Sequence, residues 1–250
     1  MRVAVAGGTG LVGRLVVGKL AASGHEPVVL SRSRGVDLVR GTGLGGALSG
    51  VDVVVDVSNV TTLSRRRAVA FFDSAGRNLL DAAAGAGVRH HVALSIVGVD
   101  RVGHGYYAGK LRQEEVVAEG RVPWTVLRAT QFHEFVGQTL QQMPGRIAVV
   151  PRMTTQPVAA REVAGHLVEL ALAPPRGMAP ELAGPRVEQL VDLVHRLLAA
   201  RRERRLVVPL RLPGAVGASM RGDGQLPRED GPRGSETFDE WLARTGGRQG

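Results

Sequence analysis

Arg2-Val3-Ala4-Val5-Ala6-Gly7-Gly8-Thr9-Gly10-Leu11-Val12-Gly13 opens the chain's chemistry. Residues 2–7 form a short apolar run ending in glycine, the pattern of a strand buried on both faces. A helical pattern follows at once, with Val12, Leu15, Val16 and Leu20 on one face. Between the two, Gly7, Gly10 and Gly13 are spaced three apart. A strand, a glycine-rich turn and a helix let backbone N–H groups approach a pyrophosphate at the positive end of the helix. A glycine triplet alone is a weak signal in a chain with 34 glycines. Here strand, turn and amphipathic helix all fall where a dinucleotide site requires them. The cofactor-binding set read from this stretch is Gly7, Thr9, Gly10, Leu11, Val12 and Gly13.

Working outward, apolar runs at 27–30, 51–57, 92–96 and 124–127 read as further strands. Only Asp52 and Asp56 interrupt the run at 51–57. Helical patterns cover about 67–86 and 106–118. This alternation of buried strands with helices predicts an α/β fold, a Rossmann-like doubly wound parallel sheet. Past residue 135 the alternation weakens. The pattern there gives a short helix at 138–143, a strand at 147–150 and helices at 161–173 and 186–200. A Gly- and Pro-rich loop is expected at 213–234, before a last helix with Thr237 and Glu240 at capping-box spacing. The expected organisation is a dinucleotide-binding core over 1–135 and a small C-terminal substrate-side portion over 136–250, packed as one structural unit.

The end of the second strand selects the cofactor. An NAD site places Asp or Glu there, against the ribose hydroxyls. This chain has Leu30-Ser31-Arg32-Ser33-Arg34, with no acid. Ser31 and Arg32 suit a 2′-phosphate held by charge-assisted bonds, so NADP(H) is expected in preference to NAD(H). A solvated surface arginine is the competing reading.

Tyr106-Tyr107-Ala108-Gly109-Lys110 places Tyr106 and Lys110 four residues apart, on one helix face. Both tyrosines and one of the two lysines of the chain lie in these five residues. An ammonium is compact and fits beside a phenol and ribose hydroxyls, where the rigid fork of arginine does not. Its charge is expected to lower the phenol pKa towards neutrality, as a general acid needs. Ser95 ends the preceding strand and can hold a substrate oxygen. The competing reading is a helix with a packed tyrosine pair and a lysine whose stem lies along apolar surface.

Composition narrows the remaining classes. At 250 residues with 44% hydrophobic residues, the chain can bury a sizeable core. With no cysteine, thiolate metal sites, thiol nucleophiles and disulfide scaffolds are excluded. The histidines show no metal spacing, so no metal site is expected. No apolar run reaches membrane-span length and the start of the chain lacks signal-peptide features, so a cytoplasmic protein without a membrane partner is expected. The net charge of +9 raises the question of nucleic acid. The arginines are spread thinly and few aromatic residues are available for stacking, which argues against a nucleic-acid partner and for an anionic small molecule.

At this point the sequence resembles the short-chain dehydrogenase/reductase superfamily, most closely its atypical NmrA-like branch. The resemblance rests on residues 7–13, 31–33, 51–60, 93–98, 106–110 and 124–135, and runs more loosely through 181–194. It implies that Ser95, Tyr106 and Lys110 match the catalytic Ser, Tyr and Lys, with Lys110 also at the cofactor. It implies that Val57, Ser58 and Asn59 line the cofactor after the fourth strand. It places Thr130, Gln131 and Phe132 near the nicotinamide, with His133 in the same loop as a substrate contact, a second acid or a packed core residue. The expected activity is NADPH-dependent reduction of a ketone or quinone in a small-molecule substrate. Two alternatives are an NADP-binding redox sensor without turnover and a nucleotide-sugar epimerase-like enzyme.

Overall fold

The computed structural model describes residues 1–103 and 105–246. The chain divides into two compact units, one of residues 1–128 and 163–179, the other of 129–162 and 180–250. The sequence suggests a single boundary at residue 135. The structure replaces that single cut with a chain that leaves the first unit after Arg128 and returns to it at Val163.

The first unit alternates β1 (Arg2–Ala6), α1 (Leu11–Ala22), β2 (Glu26–Leu30), α2 (Leu44–Ala47), β3 (Val53–Asp56), α3 (Arg65–Gly85), β4 (His90–Ile96), α4 (Gly105–Glu119) and β5 (Trp124–Ala129). The chain then forms α5 (Glu134–Gln141), β6 (Ile147–Pro151), β7 (Thr154–Thr155), α6 (Ala160–Leu172) and β8 (Gly177–Met178). It ends with β9 (Glu188–Gln189), α7 (Leu190–Arg201), β10 (Leu206–Leu210), α8 (Gly214–Arg221) and α9 (Phe238–Thr245).

The central sheet has six strands in the order β2-β1-β3-β4-β5-β8. β1 pairs in parallel with both β2 and β3, β3 with β4, and β5 with β8. Every residue of β3 is buried, as is all of β1 after Arg2. That is why these strands read as unbroken apolar runs. One face packs Ala4, Ala6, Val54 and Ala93 against Leu79, Leu80, Val116 and Val117 of α3 and α4. The strand order reverses direction between β1 and β3, the position where open α/β sheets bind ligands beyond the carboxyl ends of their strands. The strand before Val57 is the third in chain order, not the fourth.

In the second unit, β6 pairs in parallel with β10, and β7 pairs antiparallel with β9. Its core gathers Leu190, Leu193, Val194 and Leu197 of α7 with Phe238 and Trp241 of α9. The capping box expected at Thr237 and Glu240 is present. α7 begins at Leu190, later than the sequence pattern suggests, because Glu188 and Gln189 are taken up by pairing with β7. α8 lies inside the stretch expected to be a loop. No helix among the described residues is long and apolar enough to cross a membrane.

Candidate active site

Gly7 leaves β1 with φ +78°, and its N–H donates to the Leu30 carbonyl at 3.3 Å. A Cβ at Gly7 would stand 2.8 Å from the Val57 carbonyl oxygen and 2.9 Å from Ser58 Cα. The turn is therefore pressed against the segment after β3, and it needs glycine for both φ and space. Gly13 is required for a different reason. Its Cβ would meet the Gly7 carbonyl oxygen at 2.2 Å and Gly8 Cα at 2.6 Å. Gly13→Ala should thus push the turn apart and cost ~3 kcal/mol of stability, seen as a lowered chemical-denaturation midpoint. An unchanged midpoint would contradict this packing.

Gly10 differs from both. It is exposed, has an ordinary extended backbone, and its Cβ would meet only the Gly7 carbonyl oxygen, at 3.3 Å. The fold itself does not demand glycine there. Gly10 caps α1 without a side-chain hydrogen bond. The first-turn N–H groups of Leu11, Val12 and Gly13 have no acceptor within the helix, and no acidic side chain stands in that turn. A glycine that faces open space, and donors without a cap at a helix N-terminus, fit a pyrophosphate.

At the end of β2, Ser31 Oγ lies 3.0 Å from Ser33 Oγ, and Arg32 begins a single 3₁₀ turn that is open to solvent. Among the described residues Arg32 has no carboxylate partner. On the other side of β1, Ser58 is buried and Asn59 exposed. Ser58 N–H donates to Asp56 Oδ1 at 2.9 Å.

Of the three expected catalytic residues, Ser95 lies near the end of β4, where it is 5% exposed and its Oγ has no hydrogen-bond partner among the described residues. A buried hydroxyl without a partner is costly unless a ligand supplies one. Tyr106 sits in the first turn of α4, edge-on to Phe72 and Tyr107, and its hydroxyl donates to Asn59 Oδ1 at 2.9 Å. The structure thus joins two expected site residues from separate elements, Tyr106 and Asn59.

Lys110 is placed otherwise than its spacing suggests. Its ammonium is buried, donates to the Leu94 carbonyl at 2.5 Å and to Gln113 Oε1, and lies 4.8 Å from the centre of the Phe72 ring. The Tyr106 hydroxyl is spent on Asn59 instead of on this ammonium. The expected lowering of the phenol pKa is accordingly reversed. Burial, and next the neighbouring Tyr107, push the Tyr106 phenol above its ordinary value. Burial lowers Lys110 to about 8, against the opposing pull of Asp56 and Glu114.

The loop after β5 belongs to the second unit. Thr130 donates to the Gln156 carbonyl at 2.6 Å, Gln131 accepts from Thr155 Oγ1 at 2.6 Å, and Phe132 is half-buried. His133 is wholly buried, bonds through Nε2 to the Glu236 carbonyl at 3.0 Å, and packs on Phe238 and Trp241. That is the placement of a core residue, one of the readings its sequence position leaves open.

Two residues at the site escape a reading of the sequence. Gln113 Nε2 donates to Asp56 Oδ2 at 2.7 Å while its Oε1 accepts from Lys110. The signal for Asp56 is its charge within an otherwise apolar strand. The signal for Gln113 is its position one helical turn after Lys110.

Comparison with known proteins adds three findings. A model of the NAD(P)H-binding family matches residues 7–174. A (4-alkanoyl-5-oxo-2,5-dihydrofuran-3-yl)methyl phosphate reductase from Streptomyces griseus is 35% identical over 155 residues, covering 56% of this chain and 50% of that protein. The chain thus matches about half the length of this relative. Among solved structures, a short-chain dehydrogenase/reductase superfamily protein from Agrobacterium tumefaciens with bound NAD has a TM-score of 0.72 at 19% identity, over 98% of this chain and 96% of that one. An NADPH-dependent quinone oxidoreductase from Escherichia coli has a TM-score of 0.68 at 18% identity, over 97% and 98%. At such identities the solved structures show the shared fold.

Proposed function

Because this chain belongs to the NAD(P)H-binding family and has the fold of the short-chain dehydrogenase/reductases, we propose that it is an NADPH-dependent reductase of a ketone or quinone in a small molecule. The observation that carries this reading is the Ser95 hydroxyl, buried and without a partner among the described residues, on the same unit as the glycine-rich turn and Tyr106. A substrate carbonyl oxygen is the group that such a hydroxyl would satisfy. The substrate named for the Streptomyces relative carries a ring double bond conjugated to an alkanoyl and a ring oxo group, and that of the Escherichia coli protein is a quinone, so both support a small substrate with a conjugated carbonyl.

In this reading the N–H groups of Leu11, Val12 and Gly13 bind the pyrophosphate, while Val57, Ser58 and Asn59 line the cofactor from the β3 side. Bound NADPH supplies the hydride that reduces the carbonyl carbon. Ser95 donates to the carbonyl oxygen and fixes its direction. Tyr106 releases its hydroxyl proton to that oxygen as charge develops on it, a step that its raised pKa opposes and that the charge developing on the substrate oxygen must drive. The hydroxyl has one proton, so its bond to Asn59 Oδ1 is given up for one to the substrate oxygen when substrate binds. Lys110 has two of its three donors engaged in the interior, and its third serves the ribose hydroxyls.

Ser31 and Arg32 take the 2′-phosphate. NADPH should therefore bind more tightly than NADH, and Arg32→Ala should weaken NADPH by roughly tenfold to a hundredfold with NADH little changed. Calorimetric titration of both cofactors tests this, and equal affinities in the parent protein would sink it.

A further inference from the structure

We propose that Asp56 and Gln113 are positioning residues that tie Lys110 to the cofactor-lining segment after β3, so that one buried carboxylate sets two walls of the cofactor site. The two carboxylate oxygens do separate jobs. Oδ1 accepts from the Ser58 N–H at 2.9 Å, which orients the segment 57–59. Oδ2 accepts from Gln113 Nε2 at 2.7 Å, and the same amide turns its oxygen to the Lys110 ammonium. A neutral amide thus stands between a buried anion and a buried cation, fixing the distance between them. The amide cannot reverse, because its NH₂ must face the carboxylate and its oxygen the ammonium. Asp56 is 2% exposed, Gln113 1% and Lys110 5%, so water does not substitute for any link.

The lysine has a second hydrogen bond besides this chain, to the Leu94 carbonyl at 2.5 Å. Around Lys110, α3 contributes the Phe72 ring, β4 the Leu94 carbonyl, and α4 the carboxylate of Glu114. Glu114 is itself held by Arg128 through two hydrogen bonds of 3.0 and 2.8 Å. On β4, His91 is wholly buried, and its ring nitrogens have no hydrogen-bond partner among the described residues. Burial lowers its pKa, while the neighbouring Asp56 carboxylate pulls the other way. Asp56 is the carboxylate joined to the ammonium through a single amide.

The proposal rests on the reading that Lys110 serves the cofactor, and its test separates the two. NADPH affinity is measured by calorimetry for the parent, Lys110→Met, Gln113→Met and the double variant. Lys110→Met should weaken binding, Gln113→Met should weaken it about tenfold, and the double variant should be no weaker than Lys110→Met alone. If Lys110→Met binds NADPH normally, the cofactor role of Lys110 fails. If Lys110→Met is weakened but Gln113→Met is not, or if the two losses add, the positioning role is overturned. The pH dependence supplies a readout that simple loosening of the fold would not move. Affinity in the parent should fall as pH rises through about 8, where the ammonium loses its proton. In Gln113→Met that fall should begin at lower pH, and an unmoved profile counts against the proposal. Should Gln113→Met not fold, Asp56→Asn keeps the shape of the carboxylate and removes its charge, and it replaces Gln113→Met in every comparison.

Discussion

Gly10→Val is expected to abolish binding of NADPH and NADH alike while leaving a folded protein. The contrast among the three glycines of the turn is the reason. At Gly7 and Gly13 a Cβ would lie 2.8 Å and 2.2 Å from atoms of the chain itself, so substituting either damages the turn. At Gly10 the chain offers one contact at 3.3 Å and otherwise open space. A valine is tolerated by the fold but fills the approach to the first turn of α1, where a pyrophosphate must come close to the backbone. The expected loss exceeds about a hundredfold in affinity. Circular dichroism and thermal melting establish that the variant is folded, and titration with both cofactors reads the loss. A folded variant with parental affinity would show that the pyrophosphate binds elsewhere.

Tyr106→Phe should cut kcat by ~10²–10⁴ with cofactor affinity little changed, since in the proposed reaction it removes the general acid and it keeps the ring that packs on Phe72. Tyr107→Phe is the internal control and should be mild. Lys110→Ala should harm both binding and turnover. Lys110→Arg should fail to rescue, because the larger guanidinium must enter a buried slot between the Leu94 carbonyl, Gln113 and the Phe72 ring. The assay is single-turnover oxidation of bound NADPH by a ketone or quinone. A Tyr106→Phe protein at full rate would mean that another group, or solvent, delivers the proton. If NADPH binds but no carbonyl compound oxidises it, the redox-sensing alternative gains, and the inward engagement of Lys110 becomes its main structural support.

Much of the first unit is legible in the sequence because its signals are local. A two-face-buried strand looks apolar throughout, and β1 runs directly into its turn and helix within residues 2–22. The shorter strands are not legible. β7, β8 and β9 have two residues each, too few for any period to register. α8 is short and carries two glycines in eight residues within a Gly- and Pro-rich stretch, so its sequence does not stand out as a helix. The return of residues 163–179 to the first unit depends on β8 pairing with β5, a long-range contact without a local trace.

The candidate site divides in the same way. Gly7, Gly10, Gly13, Tyr106 and Lys110 stand out by spacing, but spacing does not say which way the lysine turns. Four residues along a helix put Tyr106 and Lys110 on one face, and the sequence alone suggests that they meet. The structure instead sends the ammonium inward, because Gln113 and the Leu94 carbonyl offer buried acceptors that the phenol does not. Asp56 and Gln113 come from β3 and α4, 57 positions apart, and only the folded chain brings their hydrogen bond into view. The buried, unpartnered Ser95 hydroxyl is likewise a property of the packed strand end, not of its sequence.

The most direct test of the account is a crystal structure of the protein with NADPH. The pyrophosphate should lie on the N–H groups of Leu11, Val12 and Gly13, the 2′-phosphate against Ser31 and Arg32, and the nicotinamide ring facing the hydroxyls of Ser95 and Tyr106. A cofactor bound away from the glycine-rich turn, or one whose nicotinamide lies out of reach of both hydroxyls, would contradict it.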